Sequence, residues 1–126
     1  MQRTVTYFEK PGRDNTSACL EITKQAVKEQ GCRHLVIATT TGSTGQLFAE
    51  AMKDSGINIV AVTHSYGFKE PNTIELTVSA REAMEKAGAK IYTGTMITHS
   101  LETALASSFG GSYPALLVAQ TLRRFG

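Results

Sequence analysis

Cysteine is scarce: Cys19 and Cys32 are the only two in 126 residues. Two thiols make neither a disulfide framework nor a metal-ligand set. No long apolar run is present, which excludes a transmembrane helix. The start, Met1-Gln2-Arg3-Thr4, has no apolar signal core. A surplus of charge is also missing. Lys and Arg number 13 against 11 Asp and Glu, for a formal net charge of +2, and only Arg123 and Arg124 are adjacent basic residues. That balance gives no electrostatic footprint for nucleic acid. There is no internal repeat, low-complexity tract or linker. A soluble protein of the reducing cytoplasm is the expectation, with no membrane and no nucleic acid among its partners.

What is present reads as one globular domain over residues 1–126. Hydrophobic residues make up 41% and charged residues 19%. Residues 4–8 (Thr-Val-Thr-Tyr-Phe) form a β-branched and aromatic run closed by Pro11-Gly12. Asp14 or Asn15 can cap a helix whose apolar positions are Cys19, Ile22, Ala26 and Val27, ended by Gly31. On this spacing Cys19 belongs to the core. Residues 34–38 are a continuous apolar strand. A small polar turn leads to a helix with Leu47, Phe48, Ala51 and Met52, stopped by Ser55-Gly56. Residues 57–62 form a third strand. The stretch 63–77 shows no period. Ser79 and Glu82 match a capping box, ahead of Ala80, Ala83, Met84 and Ala87. Residues 90–93 form a fourth strand. Ser100 can cap a helix with Leu101, Ala104 and Leu105, broken by Gly110-Gly111, and Pro114 opens a last helix with Leu117, Val118 and Leu122. Such alternation predicts an α/β fold, a three-layer sandwich with a mainly parallel sheet covered on both faces. Ligands of such sheets bind beyond the carboxyl ends of the strands.

The loop after the strand at 34–38 is Thr39-Thr40-Thr41-Gly42-Ser43-Thr44-Gly45. A helix begins there, so phosphate would meet free N–H groups at a positive dipole end. Gly42 and Gly45 allow close backbone approach, and the hydroxyls of Thr39, Thr40, Thr41, Ser43 and Thr44 can all donate. The loop has no Walker Lys and no G-x-G-x-x-G, which argues against a nucleoside triphosphate with magnesium. The plainer alternative is a polar loop whose hydroxyls cap the helix.

The chain resembles the small stand-alone proteins related to the C-terminal domain of pyruvate kinase. The matching pieces are Tyr7-Phe8-Glu9-Lys10-Pro11-Gly12-Arg13-Asp14-Asn15-Thr16, then His34-Leu35-Val36-Ile37-Ala38 with its Thr/Ser/Gly loop, Val60-Ala61-Val62-Thr63-His64 with Gly67-Phe68, and Gly88-Ala89-Lys90-Ile91. The resemblance implies that Thr39, Thr41, Gly42, Ser43 and Thr44 hold a phosphate. It does not imply pyruvate kinase activity, because the catalytic barrel has no counterpart here. The loop is also similar to the hydroxyl-rich phosphate loop of flavodoxins, which follows their first strand rather than the second. That similarity implies flavin mononucleotide (FMN) as a ligand, with Tyr66 and Phe68 flanking its ring or serving as plain loop aromatics.

Other candidates occupy neighbouring loops. Arg13 can clamp an anion, with Asn15 and Thr16 reaching in from the helix start, or all three can belong to a solvated cap. His64, at a strand end before Tyr66, Gly67 and Phe68, and His99 beside Ser100 can bind a ligand or act as acid and base at neutral pH. No third metal ligand accompanies them, so no metal is expected. The resulting expectation is a binding module for a small phosphorylated or nucleotide-like ligand. The alternatives are an enzyme acting on a phosphorylated metabolite through His64 or His99, and a regulatory or assembly subunit. Stand-alone relatives continue with further strands beyond the point matching Gly126. That implies a homo-oligomer, or a second polypeptide that completes the fold.

Overall fold

The computed structural model describes residues 4–94, 102–111 and 113–124. After a short 3-10 turn at Arg13–Asn15 the elements run α1 (Thr16–Gln30), β1 (His34–Ala38), α2 (Ser43–Ala51), β2 (Asn58–Val62), α3 (Val78–Lys86), β3 (Lys90–Tyr92), α4 (Glu102–Phe109) and α5 (Pro114–Arg124). The sheet is parallel, in the order β1-β2-β3. Helices lie on both sides of it, so the α/β sandwich expected from the alternation is the fold observed.

Register decides which side chains meet. Leu35 pairs with Ile59, and Ile37 with Ala61, which in turn pairs with Ile91. These share one face of the pleat. Ile37, Ile59 and Ala61 are buried there with Phe48 and Ala49 of α2, Met52 at its C-cap, and Ala80 and Met84 of α3. The other face is less well covered: Val36 is 68% and Tyr92 59% exposed.

Glycines set the spacing between α2 and α3. Gly42, the N-cap of α2, has φ +101°, and a Cβ there would run into Ala80 Cβ and come within 2.8 Å of Leu76 Cδ1. A Cβ on Gly45 would lie 2.5 Å from Met84 Sδ and 3.0 Å from Thr39 Cγ2. Both glycines are buried, and both let a helix sit closer than any other residue would permit.

Four expectations need correction. Residues 4–8 form no strand, and Tyr7 is 89% exposed. β-branched composition suits a pleated surface, but a segment that buries little has nothing to offset its ordering entropy. Cys19 is exposed and lies outside the core. The inward stripe of α1 is Leu20, Thr23 and Val27, while Ile22 is exposed. Thr23 tolerates that stripe because its hydroxyl donates to the Cys19 carbonyl at 2.7 Å. In α2, Leu47 and Ala51 are exposed, and Gly45, Phe48, Ala49 and Met52 face inward. Finally, α3 begins earlier than the Ser79–Glu82 pattern implies. Thr77 is the N-cap, and its hydroxyl accepts from the Ala80 amide at 3.2 Å.

The packing role of Gly42 can be isolated from its backbone role. Gly56 also has positive φ, at +74°, but its Cβ would meet nothing within 4 Å. Gly42→Ala should therefore destabilise by about 1–3 kcal/mol more than Gly56→Ala, the usual cost of overpacking. Urea unfolding of the two variants checks this, and equal losses would mean that Ala80 gives way freely.

Candidate functional site at the carboxyl ends of the strands

Each strand is followed directly by a threonine: Thr39 after β1, Thr63 after β2 and Thr93 after β3. The parallel ladder carries on into the first two. Thr39 N donates to the Val62 carbonyl at 2.9 Å, and Thr63 N to the Tyr92 carbonyl at 3.0 Å. The three threonines thus form a row across the sheet end. Thr39 and Thr63 are buried, and the hydroxyls of Thr63 and Thr93 lie 2.7 Å apart. Thr63 Oγ1 also donates to the His64 carbonyl at 2.9 Å. Thr63 and Thr93 lack the run of adjacent hydroxyls that marks residues 39–41 and 43–44. The legible signal is the repeated junction Ala38-Thr39, Val62-Thr63, Tyr92-Thr93.

The hydroxyl-rich loop divides its work. Thr39 Oγ1 accepts from the Gly45 amide at 3.2 Å, so this hydroxyl caps α2 from inside. The plainer alternative therefore holds for Thr39. Thr41 and Ser43 have hydroxyls 3.4 Å apart. Thr40, Thr41 and Thr44 are partly exposed and Ser43 fully so, while Gly42 is buried beneath them.

The loop after β2 comes to the same place. Thr77 N donates to the Thr41 carbonyl at 3.3 Å. With Gly42 set against Ala80, this bond brings the N-termini of α2 and α3 side by side. Thr77 and Ser79, with hydroxyls 3.4 Å apart, stand at the second one. On the same loop the His64 and Phe68 rings pack with centroids 3.9 Å apart and a 50° tilt. Tyr66 and Phe68 are exposed. Gly67 has φ +76°, and its amide donates to the Thr73 carbonyl at 2.9 Å. His64 Nδ1 and Glu75 Oε2 are buried atoms with no hydrogen-bond partner among the described residues.

Arg13, Asn15 and Thr16 stay apart from this cluster in the hydrogen bonding of the described residues. Arg13 is exposed in the 3-10 turn. Asn15 occupies the N-cap position of α1, but its side chain donates to the Lys10 carbonyl at 2.7 Å and does not cap the helix. His99 and Ser100 lie outside the described residues. Among the described residues no group of three or more His, Cys, Asp or Glu can hold a metal, and no helix is long and apolar enough to cross a membrane.

No family model matches the chain. Among solved structures it is similar to a pyridoxal 5'-phosphate-dependent aspartate racemase, with a TM-score of 0.47 and 24% identity over 79% of this chain and 28% of that one. It is also similar to an O-ureido-L-serine synthase, with a TM-score of 0.44 and 17% identity over 79% of this chain and 30% of that one. The chain thus spans less than a third of the length of either structure, and neither likeness extends to function.

Thr39 and Ser43 separate the capping role from the exposed hydroxyls. Thr39→Val keeps the shape but removes the acceptor for the Gly45 amide. It should cost about 1–3 kcal/mol, the penalty for a buried unsatisfied donor. Ser43→Ala, at an exposed position, should stay within about 0.5 kcal/mol of the unaltered protein. Chemical denaturation reads both, and a silent Thr39→Val would remove Thr39 from the capping role.

Proposed function

We propose that the chain is a binding module for a small phosphorylated or nucleotide-like ligand, held at the carboxyl ends of the strands. The observation that carries this reading is the Thr41–Thr77 backbone bond. It sets the N-termini of α2 and α3 beside each other, with Thr41, Ser43, Thr44, Thr77 and Ser79 around them. Each helix end carries roughly half a positive charge. Two such ends with several hydroxyls suit an oxyanion that has no lysine to hold it. The resemblance to the stand-alone relatives of the pyruvate kinase C-terminal domain assigns the phosphate to the same loop.

Glu75 narrows the ligand class. Two residues before Thr77, its Oε2 is a buried acceptor with no hydrogen-bond partner among the described residues. A ligand bearing N–H or O–H groups beside its phosphate satisfies both ends of the site. Phosphorylated sugars and nucleotides have that character. FMN is one such ligand, for which the exposed rings of Tyr66 and Phe68 offer a flat contact. Arg13 lies outside the core of this reading. His64 becomes a ligand contact through Nδ1, which has no partner among the described residues, rather than an assigned acid or base.

The test begins with mass spectrometry of whatever the purified protein releases on denaturation. It continues with equilibrium dialysis using FMN and a sugar phosphate as probes. Charge-assisted hydrogen bonds contribute about 1.5–3 kcal/mol each. Thr41→Ala with Thr44→Ala should therefore weaken binding of whichever probe binds by at least about tenfold. Unchanged affinity in the double variant would move the site away from this loop.

A second reading, as a subunit of a larger assembly, is favoured by α5. Leu117, Val118 and Leu122 are all exposed on it, and exposed apolar stripes of this kind mark association surfaces. Sedimentation velocity is expected to show a dimer or larger species. A monomer at high concentration would count against this reading and leave the ligand site untouched.

A further inference from the structure

We propose a second binding site, at the opposite ends of the strands, for a small amphipathic anion: an aromatic or aliphatic body carrying one carboxylate or phosphate. Between the C-terminal halves of α1 and α2 lies an open cleft of about 530 Å³, lined by Lys24, Val27, Lys28, Arg33, Met52 and Ile57 among others. That volume is in the range of small-molecule pockets. No Asp or Glu lines it. Lys24 is partly neutralised by Glu21 at 2.9 Å, whereas Lys28 and Arg33 have no ion pair among the described residues. The charge at the rim is cationic and largely uncompensated.

The floor is apolar and fixed. Met52 belongs to the buried core, and Val27 and Ile57 pack against it. This floor distinguishes the site from a simple helix-end contact. Cations near the end of α1 can satisfy its last carbonyls with no apolar wall at all. A bare ion gains nothing from Val27, Met52 and Ile57, and it faces the negative dipole ends of α1 and α2. An amphipathic anion buries its body on the floor and keeps its charge at the rim. There Lys28 and Arg33 reach it over their aliphatic stems.

Cys32 lines the cleft and Cys19 does not, and both are exposed. The full chain therefore carries its own comparison. Alkylation by iodoacetamide, a neutral reagent, is followed at each cysteine by peptide mapping, with phenyl phosphate as the probe ligand. At about ten times its Kd, phenyl phosphate should slow Cys32 roughly tenfold while Cys19 is unchanged. Inorganic phosphate at matched ionic strength should leave both rates alone. Lys28→Ala with Arg33→Ala, two exposed positions, should abolish the protection, read as the ratio of the Cys32 rates of that variant with and without phenyl phosphate. The proposal is overturned if Cys32 is unprotected at saturating probe, if Cys19 is protected equally, or if inorganic phosphate protects as well as phenyl phosphate. Thr41→Ala with Thr44→Ala should leave Cys32 protection intact, so failure at one end of the sheet is distinguishable from failure at the other.

Discussion

The contact between Gly42 and Ala80 governs the carboxyl end of this fold. With any side chain at residue 42, α3 would have to move away from α2, since the added carbon would overlap Ala80 and crowd Leu76. That movement would lengthen the 3.3 Å bond from Thr77 N to the Thr41 carbonyl. It would also loosen Gly45 from Met84, a fully buried side chain in the core. Interiors are close-packed and transmit such displacements instead of absorbing them. The spacing of the two helix N-termini therefore follows from how two helices pack. Gly42 and Gly45 serve packing first, and the close approach they allow at the loop surface is a by-product.

The electrostatics of that end are mixed rather than uniformly positive. Thr39 has already satisfied the Gly45 amide, and Thr77 the Ala80 amide. What stays available is the outermost amides of each helix and the hydroxyls around them. On the same loop, two residues before Thr77, Glu75 holds a buried oxygen with no hydrogen-bond partner among the described residues. The threonine row adds neutral hydroxyls that are already engaged: Thr39 with the Gly45 amide, and Thr63 with the His64 carbonyl and Thr93.

Much of this was legible in the sequence. β1 falls where the apolar run His34-Leu35-Val36-Ile37-Ala38 lies, and β2 and β3 begin or end within one residue of their expected bounds. Gly31 and Gly88 end α1 and α3 in the left-handed conformation that glycine favours. The errors share a cause: local pattern does not specify the partner. α1 carries apolar residues on two stripes; Val27 faces inward as expected, but hydropathy alone could not choose Leu20 over Cys19 and Ile22. The segment 4–8 has strand chemistry but buries too little to be held. Thr77 caps α3 with Ala80, not an acid, three residues on; without that reciprocal acid the capping box is not visible in the sequence. Asn15 adjoins a helix start, where its side chain donates to the Lys10 carbonyl rather than capping the helix.

The two ends of the sheet solve opposite problems with the same helices. At the carboxyl ends of the strands, α2 and α3 present N–H groups and attract negative charge without any cationic side chain. At the amino ends α1 and α2 present carbonyls, so an anion there needs full charges to overcome the dipoles. Lys28 and Arg33 supply them, beside an apolar wall formed by the core itself. The first end suits a polar ligand recognised through hydrogen bonds. The second suits a ligand whose apolar body supplies what the backbone withholds. α2 contributes one terminus to each, so its nine residues, wedged against α3 through Gly42 and Gly45, connect the two ends through a single rigid element. Of the helices at the two proposed sites, α2 alone reaches both, whereas α1 and α3 each reach one.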